Sequence, residues 1–178
     1  DEVAASVVKE LWGADEVVTG VPRYCLWIED SEASKVHESK FLNQRVQAVK
    51  NMRLKSEKEA TRVWANKPYR FVEIRRPQSS LIFVMPAVVT EKRPYLSPIL
   101  LEASNVVVTN AAFVMYDPAI WTMGLLVSRL HYVWIKTVCG QLETRIRYSN
   151  TLGWNTFPVP LLTEQNKADL TACAEDIL

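Results

Sequence analysis

The segment Gly140-Gln141-Leu142-Glu143-Thr144-Arg145-Ile146-Arg147-Tyr148-Ser149 alternates two kinds of side chain. Glu143, Arg145, Arg147 and Ser149 take one set of positions, and Leu142, Thr144, Ile146 and Tyr148 take the other. On a β-strand such alternation sends the two sets to opposite faces. One face is then mostly apolar, and the other carries a carboxylate, two guanidiniums and a hydroxyl in a row. A guanidinium can fork onto guanine O6 and N7, and a carboxylate can accept from cytosine N4. The strand therefore has the chemistry to read base edges of DNA. A solvated edge strand with a Glu–Arg ladder shows the same pattern, so this segment alone leaves both readings open.

The elements that must position this strand follow from hydrophobic spacing. Residues 3–11 read as a short helix and residues 23–28 as a strand. Residues 34–64 read as helical with a break near Ser56. Phe41, Leu42, Val46, Val49 and Met52 are expected on its inner face, with Arg45, Lys50, Arg53, Lys55, Lys58 and Arg62 off it. Residues 69–74 and 81–85 read as strands split by Arg75-Arg76-Pro77. Pro86, Pro94 and Pro98 punctuate a loop region. Residues 106–109 and 112–116 form an expected hairpin across Asn110-Ala111. Asp117 before Pro118 predicts an N-cap, and Gly140 a stop, for one helix over 118–139. Residues 167–178 close the chain as a helix. The pattern is α+β, a mixed, mostly antiparallel twisted sheet with flanking helices.

A length of 178 residues fits one domain, and six Trp, six Tyr and five Phe can fill its core. The net charge of +1 hides an asymmetry. Residues 1–39 hold three Lys/Arg and nine Asp/Glu, net −6. Residues 40–76 hold eleven Lys/Arg and three Asp/Glu, net +8, and the remainder is at −1. A local basic block suits an anionic partner and equally suits a solvated helix face. Cys25, Cys139 and Cys173 are far apart without metal spacing, and read as reduced core thiols of a cytoplasmic protein. The long apolar run before Gly140 includes Arg129, His131 and Lys136, which argues for a buried helix rather than a membrane span. His131 itself reads as a core histidine. There is no glycine-rich nucleotide loop after a strand, no P-loop, no Gly-x-Ser-x-Gly and no Asn/Asp-Pro-Pro-aromatic segment. The chain is expected to be a non-catalytic piece of a longer protein, cut at both ends.

Several segments in order carry a resemblance. They are Arg23-Tyr24-Cys25-Leu26-Trp27-Ile28, Thr61-Arg62-Val63-Trp64-Ala65, Thr90-Glu91-Lys92-Arg93-Pro94-Tyr95, Gly124-Leu125-Leu126-Val127-Ser128, His131-Tyr132-Val133-Trp134, residues 140–149, and Trp154-Asn155-Thr156-Phe157-Pro158-Val159-Pro160. Together they resemble the target recognition domain of MmeI-type (type IIL) restriction-modification enzymes and related class I adenine-N6 DNA methyltransferases. The last segment is also similar to the end of recognition domains in type I specificity subunits. The resemblance implies one recognition domain over residues 1–178, with 164–178 beginning a C-terminal helical extension. It implies double-stranded DNA as partner, together with a methyltransferase domain of the parent protein, and no membrane. It implies S-adenosylmethionine as cofactor of the parent and none in this piece, and a nuclease in many members. By position it offers Glu143, Arg145 and Arg147 as base readers, with Asn110 and Ala111 from the hairpin. Lys50, Arg53, Lys55, Lys92, Arg93 and Ser149 are the expected DNA backbone contacts. A domain that braces the catalytic core and reads nothing is the alternative.

Overall fold

The computed structural model describes residues 1–73 and 79–178. In chain order its elements begin with α1 (Glu2–Ala5), β1 (Val8–Trp12), α2 (Ala14–Thr19), β2 (Arg23–Leu26), α3 (Lys35–Glu38), α4 (Lys40–Leu54) and α5 (Glu59–Val63). Then come β3 (Leu81–Pro86), β4 (Val88–Val89), β5 (Ile99–Glu102), β6 (Val106–Val108) and β7 (Ala112–Tyr116). The last are α6 (Trp121–Val127), α7 (Arg129–Val138), β8 (Gly140–Leu142), β9 (Arg145–Arg147) and α8 (Glu164–Glu175). The class is α+β as expected. The chain reads as one domain in sequence, and it folds as two compact units, one of residues 1–10 with 24–76 and one of residues 11–23 with 77–178.

The first unit packs α4 over a small core of Ala4, Val7, Ile28, Val36, Leu42 and Val46. The expected helix over 3–11 is replaced by α1 and the start of β1. The β-branched pair Val7-Val8 favours extended backbone, and the Val7 carbonyl accepts the Trp27 N–H at 2.7 Å. The long helical run breaks at Ser56 as expected and also at Ser39. Ser39 is extended and nearly fully buried, and its hydroxyl caps α4 by accepting the Leu42 N–H at 3.1 Å. The apolar stripe of α4 runs through Leu42, Val46 and Val49 to Arg53, a 4-3-4 spacing that leaves Phe41 and Met52 exposed. Residues 69–73, expected to begin a strand, form none. The expected Arg75-Arg76-Pro77 break falls outside the described residues.

The second unit is built on β3, the central strand of an antiparallel sheet in the order β5-β3-β7. Its continuous apolar sequence is buried on both faces, and the period of two divides the core. Phe83 and Met85 join Leu96, Leu126, Tyr132, Ile135, Ile146 and Tyr148 on one side. Ile82 and Val84 join Trp12, Val17 and Val106 on the other. The helix expected over 118–139 is two helices. Ser128 turns extended (φ −62°, ψ 147°) and its hydroxyl accepts the His131 N–H at 3.1 Å, starting α7 anew. Asp117 does not cap α6. It adopts φ 43°, and its carboxylate accepts the Ser80 and Leu81 N–H groups at 2.8 and 3.3 Å, pinning the start of β3. Helix α8 packs on α6 where Gly124 lets the backbones close. A Cβ there would stand 3.0 Å from the Leu170 carbonyl oxygen.

Candidate nucleic-acid interface

Residues 140–149 are a hairpin rather than one strand. β8 and β9 pair antiparallel with Gly140 opposite Arg147, Gln141 opposite Ile146 and Leu142 opposite Arg145. The turn between them consists of Glu143 and Thr144, with Glu143 in the left-handed region at φ 58°. The expected four-residue ladder is therefore corrected. Glu143 sits at the turn, and Leu142 and Thr144 are exposed instead of inside. The alternation holds from residue 145 onward. Ile146 and Tyr148 are buried, while Arg147 is exposed and Arg145 half-exposed. Glu143 Oε2 accepts from Arg145 Nη2 at 2.7 Å, so the two sequence-derived readers form an ion pair.

Backbone bonds through Ala87 bring the other candidates to this hairpin. β9 is the middle strand of a sheet in the order β4-β9-β8, with Val88 opposite Arg147 and Val89 opposite Ile146. Just before β4, the Ala87 N–H donates to the Ala111 carbonyl at 2.9 Å. The Ala87 carbonyl in turn accepts the Tyr148 N–H, also at 2.9 Å. Asn110 and Ala111 are exposed at a tight turn closed by Ala112 N–H to the Thr109 carbonyl at 3.2 Å. That turn is not the expected hairpin, because β6 and β7 belong to different sheets. Thr90-Glu91-Lys92-Arg93 leaves the end of β4, with Lys92 exposed and Arg93 Nη1 donating to Ser97 Oγ at 2.9 Å. Ser149 Oγ accepts the Leu152 N–H at 3.3 Å, which leaves its own hydrogen available to a phosphate oxygen. One unit thus gathers Asn110, Ala111, Lys92, Arg93, Glu143, Arg145, Arg147 and Ser149 around the β4–β9–β8 sheet.

Lys50, Arg53 and Lys55 lie on α4 in the first unit. Lys50 and Lys55 are exposed. Arg53, expected beside them as a backbone contact, is turned into the fold instead. Its guanidinium is buried and donates to the carbonyls of Trp64 at 2.8 Å, Lys67 at 2.9 Å and Arg70 at 2.8 Å. The signal was present in the 42-46-49-53 spacing, which places Arg53 on the buried stripe. The positioning role of Ala87 had no signal, because it acts through its peptide group and not its side chain.

Behind β9, Tyr148 Oη lies 3.3 Å from His131 Nε2. His131 is fully buried, with its ring edge-on to Phe157 at 4.6 Å, and is a core histidine as expected. Burial pushes its pKa down to about 4 and pushes the Tyr148 phenol up, with Cys139 adding to the latter. Neither group has the poise of an acid–base catalyst near neutrality. Of the three expected core thiols, Cys139 is buried and Cys25 half-buried, whereas Cys173 is exposed on α8. Among the described residues no group of three or more His, Cys, Asp or Glu could hold a metal ion, and no helix is long and apolar enough to cross a membrane.

The family model described as "MmeI, target recognition domain" matches residues 1–161. DNA methyltransferase A of Bacillus subtilis (strain 168) is 34% identical over 170 residues, covering 96% of this chain and 19% of that protein. A solved structure described as the type IIL restriction-modification enzyme MmeI in complex with DNA superposes with a TM-score of 0.89 at 28% identity, covering 99% of this chain and 23% of the other. This chain spans about a fifth of the length of these relatives. With a match over nine-tenths of its residues, the chain belongs to the MmeI target recognition domain family.

Proposed function

We propose that this chain is the part of a larger DNA methyltransferase that reads a specific double-stranded sequence. One observation carries the reading: β9 exposes Arg145 and Arg147 while its other face is anchored in the core through Ile146 and Tyr148. A guanidinium pair on a strand so anchored is held rigidly enough to address base edges in the major groove. Glu143 joins Arg145 at the same turn, and Asn110 and Ala111 are tied to the strand through Ala87. Lys92, Arg93 and Ser149 then supply phosphate contacts beside the readers, and Lys50 and Lys55 supply them from α4. Phosphate contacts set position and base contacts set sequence.

The methyltransferase domain of the parent would extrude the target base, and S-adenosylmethionine bound there would supply the methyl group. This chain's own part is to hold the register of the duplex. The resemblance extends the proposal to adenine N6 as acceptor, in a family of which many members also carry a nuclease, and the widely spaced cysteines extend it to the cytoplasm as site of action. Sequencing methylated positions in DNA exposed to the full-length protein tests the reading. Arg147→Ala should relax the motif at one or two positions while methylation continues elsewhere. A motif unchanged in a folded, active variant would refute it.

A bracing role has one observation in its favour. Leu130 and Val133 stand exposed three residues apart on α7, an apolar pair suited to packing on another domain. Leu130→Ser with Val133→Ser should then lower the activity of the full-length protein without altering its motif.

A further inference from the structure

Lys67, Tyr69 and Arg70 direct their donors at one carboxylate. Lys67 Nζ lies 3.1 Å from Asp30 Oδ2, Tyr69 Oη donates to Oδ1 at 2.9 Å, and the Arg70 guanidinium contacts Oδ2. The three donors do not hang on a loose loop. The guanidinium of Arg53 binds the carbonyls of Lys67 and Arg70 from behind, at 2.9 and 2.8 Å, and Tyr69 packs against the core of the first unit. Arg53 is satisfied by neutral carbonyls, so its charge is not cancelled. The cluster sets three cations (Arg53, Lys67 and Arg70) against one anion (Asp30), a net of +2.

The site is open to solvent. The side chains of Lys67 and Asp30 are 46% and 43% exposed, and that of Arg70 is 26% exposed. An ammonium, a guanidinium and a phenol converging on two oxygens of a monoanion form a donor set for a phosphodiester. Asp30 supplies the same charge and the same two oxygens.

We propose that Lys67, Tyr69 and Arg70 form a phosphodiester cradle for duplex DNA, which Asp30 occupies as an internal stand-in while no DNA is bound. The proposal rests on the DNA-reading assignment above. Its consequence is a limit on indiscriminate binding, because every duplex must displace Asp30 before it gains these contacts. The carboxylate is thus a competitor for the cradle and not only a structural clip.

The test is binding of a random-sequence duplex by the full-length protein across a salt series. Asp30→Asn should raise affinity and steepen the slope of log K against log salt by about 0.9 for each phosphate gained. For one contact, a fourfold drop in salt should then strengthen binding by about 3.5-fold more than in wild type. Lys67→Gln added to Asp30→Asn should remove that gain. Glu164→Gln removes the same charge from the exposed Glu164–Lys167 pair and should leave the slope unchanged. An unaltered slope in a folded Asp30→Asn protein, or a gain that survives Lys67→Gln, overturns the cradle. Where Asp30→Asn does not fold, Asp30→Ser removes the same charge and is read the same way: a slope steepened by about 0.9 supports the cradle and an unchanged slope overturns it. Duplex binding indifferent to these residues overturns the cradle only. Wild-type protein that binds no duplex overturns the DNA-reading assignment as well.

Discussion

Glu143 Oε2 and Arg145 Nη2 are 2.7 Å apart across the β8–β9 turn. The pair is solvent-exposed, with side chains 75% and 43% accessible, so it adds little to stability. It does orient the guanidinium and leaves the carboxylate beside it. A carboxylate suits cytosine and a guanidinium suits guanine, so the pair is expected to select a C·G base pair. Glu143→Lys with Arg145→Asp preserves an ion pair of reversed polarity. The swapped full-length enzyme should invert that base pair and keep the rest of its motif, with a good bidentate contact contributing about 1–3 kcal/mol of discrimination. The readout is the methylated motif by sequencing. A folded, active double variant with the wild-type motif would show that the turn reads nothing.

The basic residues of α4 should separate into two classes. Arg53→Ala leaves three part-buried carbonyls without their donor and should destabilise the first unit by about 2–4 kcal/mol. Lys50→Ala with Lys55→Ala should leave the melting temperature nearly unchanged. The lysine pair should instead weaken binding to all duplexes alike and flatten the salt slope by about 0.9 per lost contact. Thermal melts beside salt titrations distinguish the two classes. A normal melt for Arg53→Ala would contradict the role assigned here.

His131 makes stability depend on pH with a definite sign. Its pKa lies near 4 in the folded chain, because burial disfavours the imidazolium, against about 6.5 when unfolded. Between those values the unfolded chain binds the extra proton. The contribution is therefore complete above about pH 6.5 and is lost as the pH falls toward 4, up to about 3 kcal/mol at the acid end. Denaturant unfolding of wild type and His131→Phe across this window should show the wild-type slope and its loss in the variant. Parallel pH profiles would refute it.

Gly153 is buried where a Cβ would stand 3.1 Å from Tyr148 Cε2 and 3.2 Å from both Cys139 Sγ and Ile135 Cγ2. Gly153→Ala should overpack this core by about 1–3 kcal/mol. A melting temperature lowered by several degrees would agree, and an unchanged one would show that Tyr148 gives way at no cost.

The legible parts of the sequence were those whose pattern extends over many residues. The apolar run of β3, the break at Ser56 and the burial of His131 all follow from spacing and composition. What the pattern does not reveal turns on local features of single residues. The hairpin tip at Glu143 lacks the glycine that normally marks a left-handed residue, so an alternating strand was the simpler pattern. The break at Ser128 rests on one hydroxyl capping one amide. Arg53 was read by charge, although its spacing placed it inside. The gathering of Asn110 with Arg147 depends on the peptide groups of Ala87 and could not be read from side-chain chemistry.

The alternation across β9 divides labour between neighbours in the chain. Ile146 and Tyr148 are held in the core, and the bonds from Ala87 involve backbone alone. Arg145 and Arg147 can thus change identity while the scaffold keeps its packing. Substitutions at exposed positions of this sort usually shift stability by less than about 0.5 kcal/mol. On the proposed reading, a lineage built on this hairpin can therefore try new side chains at these two positions one at a time, without crossing a folding threshold.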